Sequence, residues 1–458
     1  MNDAWLKGWS WHNLRIASGV QERLRRRFTN AGQAILATTL SAGLFGLDTR
    51  MTAAYQVFAL GAALLLVAAV GTLRRERGLS SKRQLPRHAT VGEPCRYLVG
   101  LHHKGRRPLT GIAIAERLHD PRPDRATFLA ARAPIEARLH PVERLFGYPR
   151  WEWLVRQGRR AEPQRPTQLP IIAPGEHIEA ALDITPTRRG WLRLDALVAA
   201  RTDVLGLMRR ETPLSGNARV LVLPRRYPVP PLPQPGHRRL QPRGINLASA
   251  VGDSREFMGL RDYLPGDSPR HIHWAAWARS GEPVVKEYQD EFFSRQALIL
   301  DCFTDDNSRP ADAEASFECA ISVAASLIEP LNRAGAKQDA LLDLMFVANH
   351  AQTVTAGPGR FSTAAMLEVL ACLEPNRGGN FSGLSELVLG QTPQLSAAIC
   401  VLLAWDRPRR ELVRHLQAIG LPLKVLLLSG QAVADQSSPL IQVDPRHPEP
   451  ALARLGGI

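Results

Sequence analysis

The residues with the greatest capacity for chemistry lie together in one stretch, 252–291. Arginine and aspartate side chains are interleaved there with two histidines and two tryptophans. Charged groups are seldom buried unless they are paired, and tryptophan buries a large apolar surface, so this mixture predicts a partly buried network of ion pairs. Three roles fit it: a structural clasp between neighbouring domains, which we favour, a surface that binds a partner, and a hydrolytic site that uses Asp267, His271 or His273.

Two further carboxylates follow apolar runs near the C-terminus. Asp301 follows the run 297–300, and Asp406 follows the run 397–404. Ligands of α/β proteins collect at the carboxyl ends of parallel strands, so these carboxylates are candidate ligands for Mg²⁺, which prefers oxygen. Aspartate is also a common helix N-cap, and Asp305, Asp306 and Asp406 fit that simpler role. The spacing alone leaves both roles open.

Other motifs that carry chemistry are absent from the sequence. It contains no G-x-x-x-x-G-K-S/T, no H-E-x-x-H and no G-x-S-x-G. Its 5 cysteines are scattered without a C-x-x-C pair, which argues against a zinc site or a disulfide framework and for a reducing compartment. His271 and His273 have no third ligand nearby in the sequence and are a weak metal pair.

The chain is strongly basic, and this points to an anionic partner. It has 58 Lys and Arg against 43 Asp and Glu, a net charge of +15. Such an excess suits nucleic acid or the anionic inner face of a membrane. No aromatic-basic module of a known nucleic-acid-binding type occurs, so nucleic acid is an unlikely partner.

The N-terminal part predicts a membrane anchor. A basic amphipathic segment, 1–30, leads into two uncharged runs, 31–47 and 51–73. Both lengths can cross a hydrocarbon core about 30 Å thick, the first only just. We therefore expect a two-helix transmembrane hairpin at 31–77 rather than two buried helices of a soluble bundle. Arginines on both outer flanks place both termini and the soluble domains in the cytoplasm.

The periodicity of the sequence changes twice after this anchor. Alternating short strands over 83–226 predict a small β-sandwich-like domain with an Arg/Pro-rich insertion at 120–174, whose aromatic centre we expect to pack on the sandwich. A Pro-rich linker at 227–251 precedes the charged stretch. Apolar runs then alternate with helical patterns over 292–458 and predict an α/β domain around a mainly parallel sheet. Strands are expected near 97–101, 111–115, 178–184, 191–198, 220–223, 297–300, 340–347, 397–404 and 423–428.

The central stretch contains the run 261–274, RDYLPGDSPRHIHW, which continues through 278–279 and 285–287. This run resembles the signature of the bacterial family called domain of unknown function 58. Segments 186–190 and 203–207 are weaker matches, and the order of the predicted parts also agrees. The residues that carry this signature are Arg261, Tyr263, Gly266, Asp267, Arg270, His273, Trp274, Arg279, Lys286 and Glu287.

The resemblance implies both an architecture and a function. It implies a multidomain protein with an N-terminal transmembrane helical hairpin, a β-sandwich-like domain and a C-terminal α/β domain similar to von Willebrand factor type A. Family members are often encoded beside MoxR-type AAA+ ATPases and are thought to help them in maturing other proteins or envelope complexes. We therefore expect a non-enzymatic adaptor at the bacterial inner membrane, whose partners are such an ATPase, the lipid bilayer and an unknown client. An uncharacterised hydrolase is the alternative.

The resemblance also implies a metal-ion-dependent adhesion site in the factor A-like domain. Such a site has the form Asp-x-Ser-x-Ser, with a threonine and an aspartate from later loops. Asp301 matches the first position, but Phe303 and Asp305 stand where the two serines belong. Asn380 corresponds to the threonine and Asp406 to the last aspartate. Because phenylalanine cannot ligate a cation, we expect a degenerate site and no cofactor, with Mg²⁺ as the only alternative.

Overall fold

The computed structural model describes twelve stretches of the chain, which are 3–45, 52–73, 78–232, 255–267, 269–290, 295–304, 310–336, 341–348, 350–357, 362–377, 380–429 and 440–457. The chain divides into two compact units. The first comprises Met1–Arg225 with Arg309–Asp312 and Leu367–Leu373. The second comprises Arg226–Ser308, Ala313–Met366 and Glu374–Ile458.

Three helices open the first unit: α1 (Asp3–Arg27), α2 (Asn30–Phe45) and α3 (Thr52–Gly71). Helices α2 and α3 are antiparallel and so close that a Cβ atom on Gly61 would lie 2.1 Å from Thr39 Oγ1. A side chain at position 61 would therefore force the two helices apart.

One of the two expected membrane spans is supported by the described structure. In the part of the chain that the structure describes, one helix, at Ala53–Gly71, is long and apolar enough to cross a membrane. Helix α2 has 16 residues, and a helix of that length extends only about 24 Å, less than the hydrocarbon thickness of about 30 Å. The predicted turn at 48–50 lies outside the described residues.

Nine strands form a sandwich of two sheets. One sheet has the order β1-β3-β6, and the other has the order β2-β9-β7-β4-β5, with β8 paired to β7. Leu192 and Leu194 are buried in the core between the sheets, whereas Trp191 and Arg193 are exposed, so the predicted alternation is confirmed over 191–194. Further along β7 it is wrong, because the core residues there are Leu197 and Ala199. The strands are β1 (Leu79–Gln84), β2 (His88–Thr90), β3 (Cys95–His103), β4 (Ile112–Leu118), β5 (Thr167–Gln168), β6 (His177–Ile184), β7 (Gly190–Thr202), β8 (Arg209–Ser215) and β9 (Ala218–Leu223).

The insertion in this sandwich is helical. It contains α4 (Arg125–Ala130), α5 (Pro141–Phe146) and α6 (Tyr148–Gly158). Phe128 and Trp151 are buried and pack with Trp11 of α1. The aromatic centre of the insertion thus packs on α1 rather than on the sandwich, because α1 supplies the apolar partner that the sandwich was expected to supply.

The signature stretch forms a two-stranded antiparallel sheet of its own. Strands β10 (Arg255–Asp262) and β11 (Val284–Asp290) pair with each other, and helix α7 (Trp274–Ser280) lies between them in the chain. This two-stranded sheet, together with α7, belongs to the second unit.

The rest of the second unit is built on a six-stranded sheet with the order β15-β14-β12-β17-β18-β19. All neighbouring pairs are parallel except β14 with β15. In chain order this is 3-2-1-4-5-6, and the direction of winding reverses between β12 and β17. The strands are β12 (Arg295–Leu300), β14 (Leu341–Val347), β15 (Ala351–Ala356), β17 (Ala397–Leu402), β18 (Leu423–Leu428) and β19 (Leu440–Val443), with a separate parallel pair of β13 (Phe303–Thr304) and β16 (Asn376–Arg377).

Helices fill the connections of this sheet. Leu384 of α10 and Leu412 of α11 pack with Ile299 and Cys400 in one apolar core on a face of the sheet. The central strands are buried on both faces, which is why they appear in the sequence as continuous apolar runs. The helices are α8 (Pro310–Ala336), α9 (Thr363–Cys372), α10 (Ser382–Gln391), α11 (Arg407–Ala418) and α12 (Glu449–Ala453).

The start of the predicted linker packs against α8. The Tyr227 backbone N–H donates to Ser326 Oγ at 2.8 Å, and Arg226 lies 3.5 Å from Glu329. Leu232 is buried. Residues 226–232 are therefore part of the second unit, and 233–250 lie outside the described residues.

Candidate functional site

The carboxyl edge of the six-stranded sheet brings two of the predicted ligands together. Strand β12 ends at Leu300 and β17 at Leu402, and the two strands are parallel neighbours at the point where the winding reverses. Crevices at such switch points are the usual ligand sites of open α/β sheets. Asp301 and Asp406 both lie at this edge, as their positions after apolar runs predict.

Asp301 is fully buried, and both of its carboxylate oxygens are engaged. Oδ1 accepts from the Phe303 backbone N–H at 3.0 Å, and Oδ2 accepts from the Leu403 N–H at 3.0 Å. Each oxygen also accepts from Arg409, at 3.1 Å from Nη2 and 2.6 Å from Nε. The carboxylate thus joins the ends of two strands to a helix.

Arg409 is the cation of this edge. Its side chain is only 7% exposed. Besides Asp301, the guanidinium donates to Asp406 Oδ2 at 2.5 Å and to the Phe303 carbonyl at 3.2 Å, and it lies 4.7 Å from the centre of the Phe381 ring. Burial alone would lower the pKa of Arg409, but attraction to the two carboxylates raises it, so the group is permanently charged.

Local sequence explains why Arg409 points inward. Asp406 is the N-cap of α11, with its side chain accepting the Arg409 N–H at 3.2 Å. This is the capping role that the sequence left open for Asp406. Arg409 lies on the same helical face as the buried Leu412, Val413 and Leu416.

The residues present do not fit a bound Mg²⁺. A cation at this edge would have to displace a buried guanidinium from carboxylate oxygens that already accept four hydrogen bonds at Asp301. Among the described residues, no group of three or more His, Cys, Asp or Glu side chains is placed to hold a metal ion. Arg409 supplies the positive charge from within the chain.

The remaining predicted ligands take structural roles or lie outside the described residues. Phe303 packs edge-on against Phe381, with 5.9 Å between ring centres. Asn380 Oδ1 accepts from the Ser382 backbone N–H at 3.0 Å in the turn before α10. Asp305 is among the residues that the structure does not describe.

In the signature stretch, one ion pair closes a tight turn after β10. Arg261 Nη1 and Nη2 each lie 2.7 Å from an oxygen of Asp267. Asp267 Oδ2 also accepts from the Leu264 backbone N–H at 2.9 Å. Gly266 has a φ of 111°, which disfavours other residues, so glycine is required at this position of the signature.

His273 and Val285 place α7 beside β11. His273 Nδ1 accepts from the Ala276 N–H at 3.0 Å and so caps α7, while the His273 N–H donates to the Val284 carbonyl at 2.8 Å. Val285 is buried. Asp267 and His273, two of the residues considered for hydrolysis, are therefore both engaged in holding the local fold.

Three large apolar or aromatic residues of the stretch 252–291 are exposed. Trp274 is 65% exposed and stacks on Trp277, with 5.4 Å between ring centres. Leu264 is 62% exposed and Leu260 is 45% exposed.

The other described residues of the signature are exposed or half-buried. Arg270 and Arg279 are exposed, whereas Tyr263 and Lys286 are half-buried. The side chains of His271 and Glu287 lie outside the described part of the structure. Among the side chains that the structure describes in this stretch, the Arg261–Asp267 ion pair is partly exposed rather than buried, and Leu264 and Trp274 are exposed.

Sequence reasoning missed Arg409, although a signal was present. An arginine stands on the apolar stripe of α11, where hydrophobic residues recur at i+3, i+4 and i+7. A charge in such a stripe needs a buried partner. Asp301 is fully buried at the end of an apolar strand and completes the pair.

The family comparison supports the signature. Residues 259–430 match the model of the family described as protein of unknown function DUF58. The match covers the end of β10, the rest of the signature and most of the α/β sheet. It supports the resemblance that the run 261–274 carries.

Searches among other proteins add little. No curated protein matches the chain. Solved structures that align include a CARDB domain from Pyrococcus furiosus (11% identity, 32% of this chain and 94% of that chain, TM-score 0.17) and a red sea bream transglutaminase (15%, 31% and 14%, 0.17). Proximal thread matrix protein 1 of the mussel byssus also aligns (10%, 36% and 46%, 0.27). Similarity at these scores carries no argument about fold or function.

Proposed function

We propose that the chain is a membrane-anchored, non-enzymatic adaptor that works with a MoxR-type AAA+ ATPase in the maturation or assembly of other proteins or envelope complexes. The observation that carries the proposal is the outward apolar surface of the signature, formed by Leu260, Leu264 and Trp274. The same short stretch also contains the exposed Arg270 and Arg279. Tryptophan and arginine are the residue types enriched in binding hot spots.

The interior of the signature favours a rigid docking surface. Trp274 is stacked on Trp277, and α7 is capped by His273. The Arg261–Asp267 pair closes the turn that presents Leu264. A partner that binds here would lose little freedom of these side chains, which keeps the entropic cost of association low.

We further propose that the α/β domain is of the von Willebrand factor type A kind. Its 3-2-1-4-5-6 strand order and its antiparallel β15 support this. In this reading, Arg409 takes the place of the divalent cation beside Asp301 and Asp406. The domain then serves as a scaffold whose carboxyl edge needs no metal to be held together.

The location we propose is the bacterial inner membrane, with both termini and the soluble domains in the cytoplasm. Helix α3 meets the length of a span, and the shorter α2 packs antiparallel on it. The start of α2 and the end of α3 are therefore on the same side. Arginines 25–27 precede the pair, and arginines 74, 75 and 77 follow it.

Binding of the full-length chain in detergent to a purified MoxR-type ATPase tests the adaptor proposal. Trp274→Ser should weaken binding about 30-fold, the loss typical of a tryptophan hot spot. Trp191→Ser is the matched control, since Trp191 is also exposed but lies on the sandwich. Binding that falls equally in both variants, or in neither, would contradict a docking role for the signature.

A further inference from the structure

The turn between β7 and β8 presents apolar side chains outward. Val204 is fully exposed and Leu205 is 43% exposed. The turn is nevertheless tightly built: the Asp203 carboxylate accepts from the Leu205 N–H at 2.9 Å and from the Met208 N–H at 2.6 Å. Gly206 has a φ of 70°. The exposure of two apolar residues thus comes from an ordered turn and not from a loose loop.

The same turn is attached to the start of α2. The Thr29 N–H donates to the Leu207 carbonyl at 2.9 Å, and Thr29 Oγ1 donates to the Gly206 carbonyl at 2.6 Å. A Cβ atom on Gly32 would lie 1.9 Å from the Leu207 carbonyl oxygen. Only glycine permits this approach of the turn to the first turn of α2.

The turn also reaches the end of α3. A Cβ atom on Gly71 would lie 3.4 Å from Asp203 Cβ, and Arg210 Nη1 donates to the Thr72 carbonyl at 2.9 Å. Gly71 is the last residue of the helix that is long enough to span a membrane. With the membrane anchoring proposed above, the turn lies at the level where that helix would leave the hydrocarbon core.

We propose that Val204 and Leu205 insert into the interfacial region of the same bilayer that α3 crosses. Apolar side chains at this level are buried by the boundary between headgroups and acyl chains, about 5–10 Å deep. Arg209 and Arg210 follow the turn in β8, and Arg25 to Arg27 end α1. This charge suits anionic headgroups. The sandwich is then attached to the membrane surface by its own turn as well as by the helices.

The inference rests on the membrane anchoring proposed above, and site-directed fluorescence can separate the two. The full-length chain, with Cys95 and Cys372 replaced by serine, is labelled at Val204→Cys with an environment-sensitive dye. It is reconstituted into vesicles of phosphatidylcholine and phosphatidylglycerol that carry spin-labelled acyl chains. The other three cysteines are buried and should stay unlabelled.

Two further labelled positions give the reference values. Val67→Cys lies in α3 and reports the span itself, whereas Trp191→Cys lies at the opposite end of β7. At about 3.3 Å per residue, position 191 is roughly 40 Å from the turn. We expect blue-shifted, lipid-quenched emission at 67 and 204 and water-like emission at 191.

Every other pattern of emission contradicts a specific part of the proposal. Quenching at 67 with water-like emission at 204 would overturn the proposed insertion and leave the anchor intact. Water-like emission at 67 would overturn both, since no bilayer would then surround α3. Quenching at 191 to the same extent as at 204 would show general contact of the sandwich with lipid, which also overturns a specific role of the turn. Binding to the ATPase is measured separately and is not affected by any of these results.

Discussion

The signature stretch and the carboxyl edge of the α/β sheet both pair arginine with aspartate, but in opposite surroundings. In the signature, Arg261 and Asp267 are 37% and 20% exposed. At the sheet edge, Arg409 and Asp301 are 7% and 0% exposed. The stretch that is richest in charge is thus the more open one, and the buried pair joins residues that are 108 positions apart.

This difference separates two kinds of charge pattern. In a dense local cluster, charged side chains can pair with one another within a short hairpin while the aromatic residues remain exposed to solvent. A buried pair between distant elements instead holds strand ends and a helix together, at the cost of desolvating both groups. We therefore assign stability to the sheet edge, and this contrast agrees with the docking role that we propose for the signature.

The largest expected effect comes from removing the cation of the sheet edge. Arg409→Ala leaves Asp301 charged and buried without its partner, which should cost about 3–5 kcal/mol. Hydrogen exchange of the backbone amides in β12 and β17 measures this loss. Arg407→Ala is the matched control, because Arg407 lies two positions away, is exposed and pairs with the exposed Glu411; no measurable change is expected there.

A buried thiol gives a second readout of the same change. Cys400 lies in β17, and burial raises its pKa to about 12. Its alkylation at neutral pH should be very slow in the native protein, since the thiolate is the reactive form. Arg409→Ala should accelerate it and Arg407→Ala should not. Equal alkylation rates of Cys400 in both variants would mean that Arg409 does not restrict the opening of this edge of the sheet.

A smaller effect is expected when both charges are removed together. The double substitution Asp301→Asn with Arg409→Met leaves no buried unpaired charge, because the remaining partner of Arg409, Asp406, is 46% exposed. Its loss of stability should therefore be about half that of Arg409→Ala or less. The same hydrogen-exchange measurement applies. A double variant as unstable as the single one would show that hydrogen bonds of Asp301 to the strand ends, rather than charge pairing, dominate.

Most of the fold was predictable because burial leaves a direct trace in the sequence. Strands β12, β17 and β18 are continuous apolar runs, and β7 alternates. Within the six-stranded sheet, the two strands that were not predicted, β15 and β19, lie at its edges. Edge strands are buried less, so a run such as AQTVTA in β15 carries polar residues and has no apolar signal.

The candidate sites were less predictable, because a side chain's partner depends on distant residues. The positions of Asp301 and Asp406 at one edge followed from strand order. To predict that Arg409 binds both carboxylates, the apolar face of α11 had to be considered as well. The exposure of Trp274 could not be predicted from its neighbours, since tryptophan is typically buried. It is exposed here because the two-stranded sheet is too short to cover it.

A modest effect is expected for the ion pair of the signature. Asp267→Ala removes a partly exposed pair with Arg261 and one hydrogen bond to the Leu264 N–H, which together should cost about 1 kcal/mol. Hydrogen exchange in β10 and β11 measures it. Asp262→Ala is the control, because Asp262 is exposed at the end of the same strand. A loss as large as that of Arg409→Ala would erase the contrast between the two regions.

The smallest effect on stability is expected at Arg270, which is exposed. Arg270→Ala should leave hydrogen exchange throughout the second unit unchanged, because an exposed charge contributes little to stability. Binding to the ATPase should nevertheless fall, since exposed arginine beside tryptophan is a typical hot-spot residue. Arg193→Ala, at an exposed position of the sandwich, should change neither quantity. If Arg270→Ala destabilises the unit, the signature acts as a clasp; if it changes neither stability nor binding, recognition must depend on the apolar residues alone.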